Sequence, residues 1–380
     1  MKKRKNILFL VIALALGLFS ELDAQDANFS QFFLNQIYYN PAYAGSNSGM
    51  RTIFNHRTLW SKIDNLPRTY NISLDISEEK IDGGAGLIAM SDFNSNSYIK
   101  TSMAGGIYAH RITIDPDDFI IQAGLQANVV QKTLDYSGLI FSDQISNQEG
   151  ITGIPTSFAG VKEQVVYPDF SAGIISKFNV RNRLGYSIMT NTVGVAFHHL
   201  TRPNVSFTGL TERWPMKINI HGYSIIPINQ NRFSYGNQTS IKLAPAFMYE
   251  RQGKQETFAL GLNSVISSFY TGVWFRNKNY KFSFDNYDAL IFMAGVIHYD
   301  EFTGNLYKIG YSYDMTVSQL GYDTGGSHEI SLVIEMGWFN LFKSNKRKPV
   351  KCPDVGHYNK KKKIKKRIIS CPDNQFYYLD

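Results

Sequence analysis

A transmembrane antiparallel β-barrel of about fourteen strands is the all-β fold this sequence predicts. Three observations carry it: apolar and polar residues alternate through most of the chain, the composition is rich in Tyr, Phe and Gly, and no helix-length apolar stretch follows the N-terminus. Phe, Tyr and Gly number 26, 23 and 30, and charged residues are only 18% of the chain. A spanning helix needs roughly 18 or more consecutive apolar residues, which no run after residue 24 supplies. Barrels cross with strands of about ten residues whose side chains face lipid and lumen in turn.

The chain opens Met1-Lys2-Lys3-Arg4-Lys5, runs apolar from Ile7 to Phe19, and reaches Glu21-Leu22-Asp23-Ala24 before Gln25. A basic start, a short apolar run and a small residue at the cut read as a secretory signal peptide over residues 1–24. Residues 25–48 form a leader with no clean period. It carries Phe29, Phe32, Phe33, Tyr38, Tyr39 and Tyr43. That many aromatic rings are costly in water, so the leader is expected inside the barrel or across its periplasmic mouth.

The barrel is expected over residues 49–342. Its clearest strand is Arg68–Ser77, where Tyr70, Ile72, Leu74 and Ile76 alternate with Asn71, Ser73, Asp75 and Ser77. Fourteen such runs start near residues 50, 68, 83, 98, 119, 168, 184, 216, 238, 254, 266, 288, 304 and 327, separated by turn clusters such as Asp115-Pro116-Asp117-Asp118. An even number returns both termini to the periplasmic side. Residues 135–168 are too long for a periplasmic turn and fit an extracellular loop able to fold into the lumen. The aromatic pair Trp338-Phe339 closes the last strand. A β-propeller is disfavoured because no blade-length repeat is visible.

Residues 343–380 form a basic tail: twelve Lys/Arg against three Asp leave it at +9. The whole chain is +8, so the body is slightly acidic and nucleic acid is excluded as a partner. Cys352 and Cys371 also lie in the tail, and whether they pair is open; a body free of cysteine suits export through an oxidising compartment.

Phe29-Ser30-Gln31-Phe32-Phe33-Leu34-Asn35, then Tyr39-Asn40-Pro41-Ala42-Tyr43-Ala44-Gly45, then Arg57 with Trp60, then Leu66-Pro67-Arg68-Thr69, resembles the PorP/SprF family of the type IX secretion and gliding system. At the level of motifs the resemblance covers about the first forty-five residues of the mature chain. It implies a non-enzymatic outer-membrane barrel that works through protein partners: periplasmic secretion-system components, or a secreted surface adhesin that it anchors or helps export. The alternative is a diffusion channel or small-solute transporter.

Candidate partner-binding residues are Asn40, Pro41, Ala42, Tyr43, Gly45, Arg57, Trp60 and Pro67. For Asn40-Pro41-Ala42 a structural turn that docks the leader is the competing reading, because Pro fixes its own φ and biases Asn40 to an extended conformation. Arg57 and Trp60, an odd number of positions apart on one strand, are expected to face the lumen and the lipid or the interface belt respectively. The run Lys360, Lys361, Lys362, Lys363, Lys365, Lys366 and Arg367 reads either as a solvated extension or as a periplasmic tether to an acidic or peptidoglycan-associated partner. No cofactor or metal is expected. The adjacent His198 and His199 should point to opposite faces, and no nucleophile–base spacing accompanies them.

Overall fold

In a computed structural model of the chain, residues 26–337 are described except for 48, 63–65, 95–97, 116–117, 136–139, 141, 147–149, 152–162, 184–186, 229–240, 280–286, 301 and 318–323. The signal peptide, the Trp338-Phe339 pair, Cys352, Cys371 and the basic tail lie outside the described residues.

Fourteen antiparallel strands close into a barrel. In chain order they are β1 (Met50–Thr58), β2 (Arg68–Glu78), β3 (Gly83–Asn94), β4 (Ile99–Asp115), β5 (Phe119–Leu134), β8 (Gln164–Arg181), β9 (Ser187–His198), β10 (Lys217–Pro227), β11 (Ile241–Gln252), β12 (Gln255–Ile266), β13 (Phe269–Asn277), β14 (Tyr287–Asp300), β15 (Asn305–Thr316) and β16 (Ser327–Met336). A two-stranded hairpin, β6 (Ile145–Ser146) and β7 (Gly150–Ile151), sits in the connection after β5. Each barrel strand pairs with its neighbours in sequence, and β1 pairs with β16 to seal the wall. The expected strand count and the antiparallel closed fold are both present.

The alternation puts polar groups inside. In β2, Asn71, Ser73 and Asp75 are buried while Tyr70, Ile72 and Leu74 are exposed on the outer surface. The same division holds in β16, where Glu329 and Ser331 are buried and Ile330 is exposed. Closure satisfies the backbone without leaving an edge, the condition for β structure in hydrocarbon.

The two mouths differ. The strand ends joined through residues 79–82, 116–118, 182–186, 228–240, 267–268 and 301–304 lie at the mouth where β1 begins and β16 ends. Those joined through 59–67, 95–98, 135–163, 199–216, 253–254, 278–286 and 317–326 lie at the other, hereafter the long-loop mouth. Of residues 135–163, Ile140, Ile145 and Ile151 are exposed, and most of that connection lies outside the described residues. β8 begins at Gln164, four residues before the expected start.

A candidate functional site in the barrel lumen

The lumen is filled by the leader. Phe29, Phe32, Ile37, Tyr39, Ala42, Tyr43 and Ala44 are at most 2% exposed and form one cluster with wall residues Tyr223, Tyr270, Trp274 and Ile53. Phe32 is the hub: its ring lies 5.5 Å from Tyr39, 5.1 Å from His221 and 6.1 Å from Tyr223, with Phe33 edge-on to Trp274. These are the tilted and edge-to-face arrangements that aromatic quadrupoles favour.

The segment runs lengthwise. It starts at the long-loop mouth, where the Asp26 backbone N–H donates to Gln252 Oε1 and its carboxylate accepts from Trp214 Nε1 at 3.1 Å. It leaves at the other mouth through Gly45 (φ +66) and Gly49 (φ +88). A Cβ on Gly49 would sit 2.1 Å from the Met336 carbonyl oxygen, so the sharp entry into β1 needs glycine there. An even strand count does bring the ends of β1 and β16 to one mouth. The threaded leader puts Asp26 at the opposite one.

Ionised wall residues grip the leader at three levels. Nearest the long-loop mouth, His199 Nε2 is 2.7 Å from Asp26 Oδ2, and its Nδ1 lies 3.1 Å from Asp169 without hydrogen-bond alignment. Below it, Arg57 Nη1 donates to Ser30 Oγ at 2.5 Å and to Glu329 at 3.0 Å, while Nη2 donates to Asp314 at 2.7 Å. Glu329 in turn accepts from the Ser30 backbone N–H at 2.6 Å, and Arg276 supplies Asp314 with a second cation at 3.0 Å. At the far end Arg51 forks onto Asp75 and also donates to the Tyr43 carbonyl, and Asp75 accepts from Gly45 N–H at 2.7 Å. Charged, forked hydrogen bonds of this kind are stronger than neutral ones and fix geometry as well.

Asn40-Pro41-Ala42 is a docking turn. Asn40 Oδ1 accepts from Ala42 N–H at 2.9 Å and caps the single 3-10 turn Pro41–Tyr43, while its Nδ2 donates to the Ile174 and Val195 carbonyls of the wall. Two strand glycines make the shelf. A Cβ on Gly173 would lie 2.0 Å from Asn40 Oδ1, and one on Gly124 would lie 2.4 Å from Ala42 N. Gly173→Ala is therefore expected to lift the turn and cost about 1–3 kcal/mol, read as a lower urea midpoint in detergent. Gly106→Ala, whose Cβ meets nothing within 4 Å, should leave that midpoint in place.

As docked, Asn40, Pro41, Ala42, Tyr43 and Gly45 are buried against the wall and cannot be reached from outside. Arg57 faces the lumen as expected. Trp60 does not lie on β1, which ends at Thr58; it sits in the following turn at φ +53, 38% exposed at the long-loop mouth. Pro67 is buried just before β2. His198 and His199 both turn inward, because β9 stops at His198 and His199 adopts φ +57; His198 Nε2 meets the Tyr39 carbonyl. The sequence reading missed Asp26, Ser30, His199, Asp314 and Glu329. Lumen-facing acids within lipid-spanning strands were the signal that could have found two of them.

The latch at the long-loop mouth titrates. Burial opposes charge on both partners, yet the Asp26 and Asp169 carboxylates push His199 up to about 9, and His199 holds Asp26 well below the usual carboxylate range. The His199 contribution is complete below its ordinary value of 6.5 and is lost as pH rises through about 9. That of Asp26 is present above 3.8 and is lost as pH falls through its lowered value. Trp214 emission, taken as wild type minus Trp214→Phe, should change with a midpoint near pH 9. His199→Gln should remove the component near pH 9, while the Lys132 ammonium over the Trp214 ring keeps a response of its own.

Among the described residues no group of three or more His, Cys, Asp or Glu is placed to hold a metal ion. The family model described as type IX secretion system membrane protein PorP/SprF matches residues 21–334. No curated protein matches the sequence. Among solved structures the chain is similar to the outer membrane protein Omp33 of Acinetobacter baumannii, at 6% identity and TM-score 0.37, over 77% of this chain and 99% of that one. It is also similar to the NanC porin, at 10% identity and TM-score 0.34, over 76% and 99%.

Proposed function

This chain belongs to the type IX secretion system membrane protein family PorP/SprF, and on that premise we propose that it acts without catalysis of its own, as an outer-membrane component or accessory of type IX secretion and gliding that anchors or helps export a surface adhesin through protein contacts. The observation that carries this reading is the occupied lumen. A barrel whose interior holds Phe29 through Ala44 packed against its wall is occupied along that segment, and its work is assigned to its mouths.

The longer connections are assigned to the cell surface and the shorter ones to the periplasm, as in outer-membrane barrels generally. Trp60 is then the exposed candidate available to a surface partner. Residues 1–24 direct export, and β16 ends at the periplasmic mouth, delivering the tail there. The run Lys360–Lys363, Lys365, Lys366 and Arg367 is proposed to tether an acidic periplasmic component or a peptidoglycan-associated protein, an attraction that salt would screen.

Affinity purification of the tagged barrel from native membranes is the test. Co-purification of a large secreted surface protein or of periplasmic secretion components is expected, with the periplasmic set lost when residues 343–380 are deleted. Retention of neither, together with steady single-channel conductance from the intact protein, would instead establish the diffusion-channel alternative.

A further inference from the structure

The outer wall is not evenly convex. Where β16, β1, β2, β3 and β4 lie side by side, a groove of about 650 Å³ is pressed into the lipid-facing surface. Short side chains make its floor: Ser91 of β3 lies between Tyr70 of β2 and Ser102 of β4, and Ala89 lies beside Ile72. Phe54, Tyr70 and Ile72 stand up around that floor and are 41–50% exposed.

The head of the groove is polar and cationic. One step toward the long-loop mouth, the pairing register sets His328, Thr58, Arg68, Phe93 and Lys100 in a single outward row. Arg68 and Lys100 are exposed, and neither has an ion pair among the described residues. The acids of these strands at this level, Asp92 and Glu329, turn inward to Thr69 and to the leader. His56 lies between row and floor, stacked on Tyr70 at 4.5 Å, with Nε2 3.2 Å from Thr58 Oγ1.

A cationic row above an apolar trough is the shape and charge of an amphiphile with an anionic head. We infer that the groove holds a phosphorylated glycolipid of the outer leaflet. Its acyl chains lie on the Ala89, Ser91 and Ser102 floor, and its phosphate is held by Arg68 and Lys100 with His56 at the junction. The leaflet rests on the orientation proposed above; the phosphate chemistry rests on the residues alone. Arginine and lysine recognise phosphate by charge-assisted hydrogen bonds, and basic clusters at the membrane surface select anionic lipid heads.

Native mass spectrometry of the full chain in detergent, with added diphosphoryl lipid A or phosphatidylglycerol, tests the site. Heat-dependent gel mobility of each variant checks that it is folded. The wild type is expected to retain a diphosphoryl lipid A adduct, reduced at least fivefold in the double variant R68Q/K100Q and in the groove-filling variant S91L/S102L. R251Q removes an exposed arginine at the same mouth on the opposite side of the barrel and should change nothing. Equal retention by R68Q/K100Q and wild type, or an equal loss in R251Q, overturns the site. Preferential retention of phosphatidylglycerol overturns the outer-leaflet assignment. No cargo is present in this measurement, so failure of the secretion reading shows only in the purification described above.

Discussion

Arg57→Ala is expected to loosen the leader and to destabilise the folded barrel by about 3–5 kcal/mol, the range for removing one partner of a buried ion pair. Arg57 is 2% exposed and joins three groups brought together from distant parts of the chain: Ser30 of the leader, Asp314 of β15 and Glu329 of β16. Arg276 still faces Asp314 in the variant, so Glu329 bears most of the loss and keeps only the backbone N–H groups of Ser30 and Gln31. Adding Glu329→Gln to Arg57→Ala should therefore cost less than the sum of the single changes, which a double-mutant cycle in urea would read as positive coupling. Arg57→Lys is expected to rescue poorly, since an ammonium is a point charge without the planar fork that reaches both carboxylates. An unchanged urea midpoint for Arg57→Ala, followed by heat-dependent gel mobility, would remove the ion network from the account of leader docking.

The second large effect is electrical. The intact chain should give no steady current in planar bilayers, and a chain lacking residues 26–44 should give discrete openings. The wall left behind is lined by polar groups that would hold water, among them Asn55, Asn71, Ser73, Asn263, Ser312 and Ser331. Its strands pair directly with one another around the whole circumference. Should the shortened chain fail to insert, a full-length version carrying a protease site between Gly45 and Gly49 can be folded first, cut, and stripped in mild urea. Current from the uncut protein, or silence after stripping with the barrel still folded, would refute the leader as the element that closes the lumen.

The barrel was legible because lipid outside and polar groups inside impose a period of two on nearly every strand. β8 shows where that reading loses resolution. Its first residues are apolar on both faces: Val166 is exposed, while Val165 and Tyr167 pack inward with Val130, Val205 and Trp214. The alternation of polarity is lost there, which hid the start at Gln164. In the leader, burial could be read from aromatic density, yet direction could not, because its ties are made between residues as far apart as Ser30 and Asp314. The inward turn of His199 depends on a positive φ at a residue that is not glycine. Gly124 and Gly173 did carry a local signal, since glycine within a strand often marks the close approach of another backbone.

The leader's path constrains how the molecule is made. Its Ser30 and Gln31 are held by Asp314 and Glu329, which belong to the last two strands of the barrel. The early strands carry neither Asp314 nor Glu329, so the leader's full set of partners exists only once β15 and β16 stand beside β1 and the seam is made.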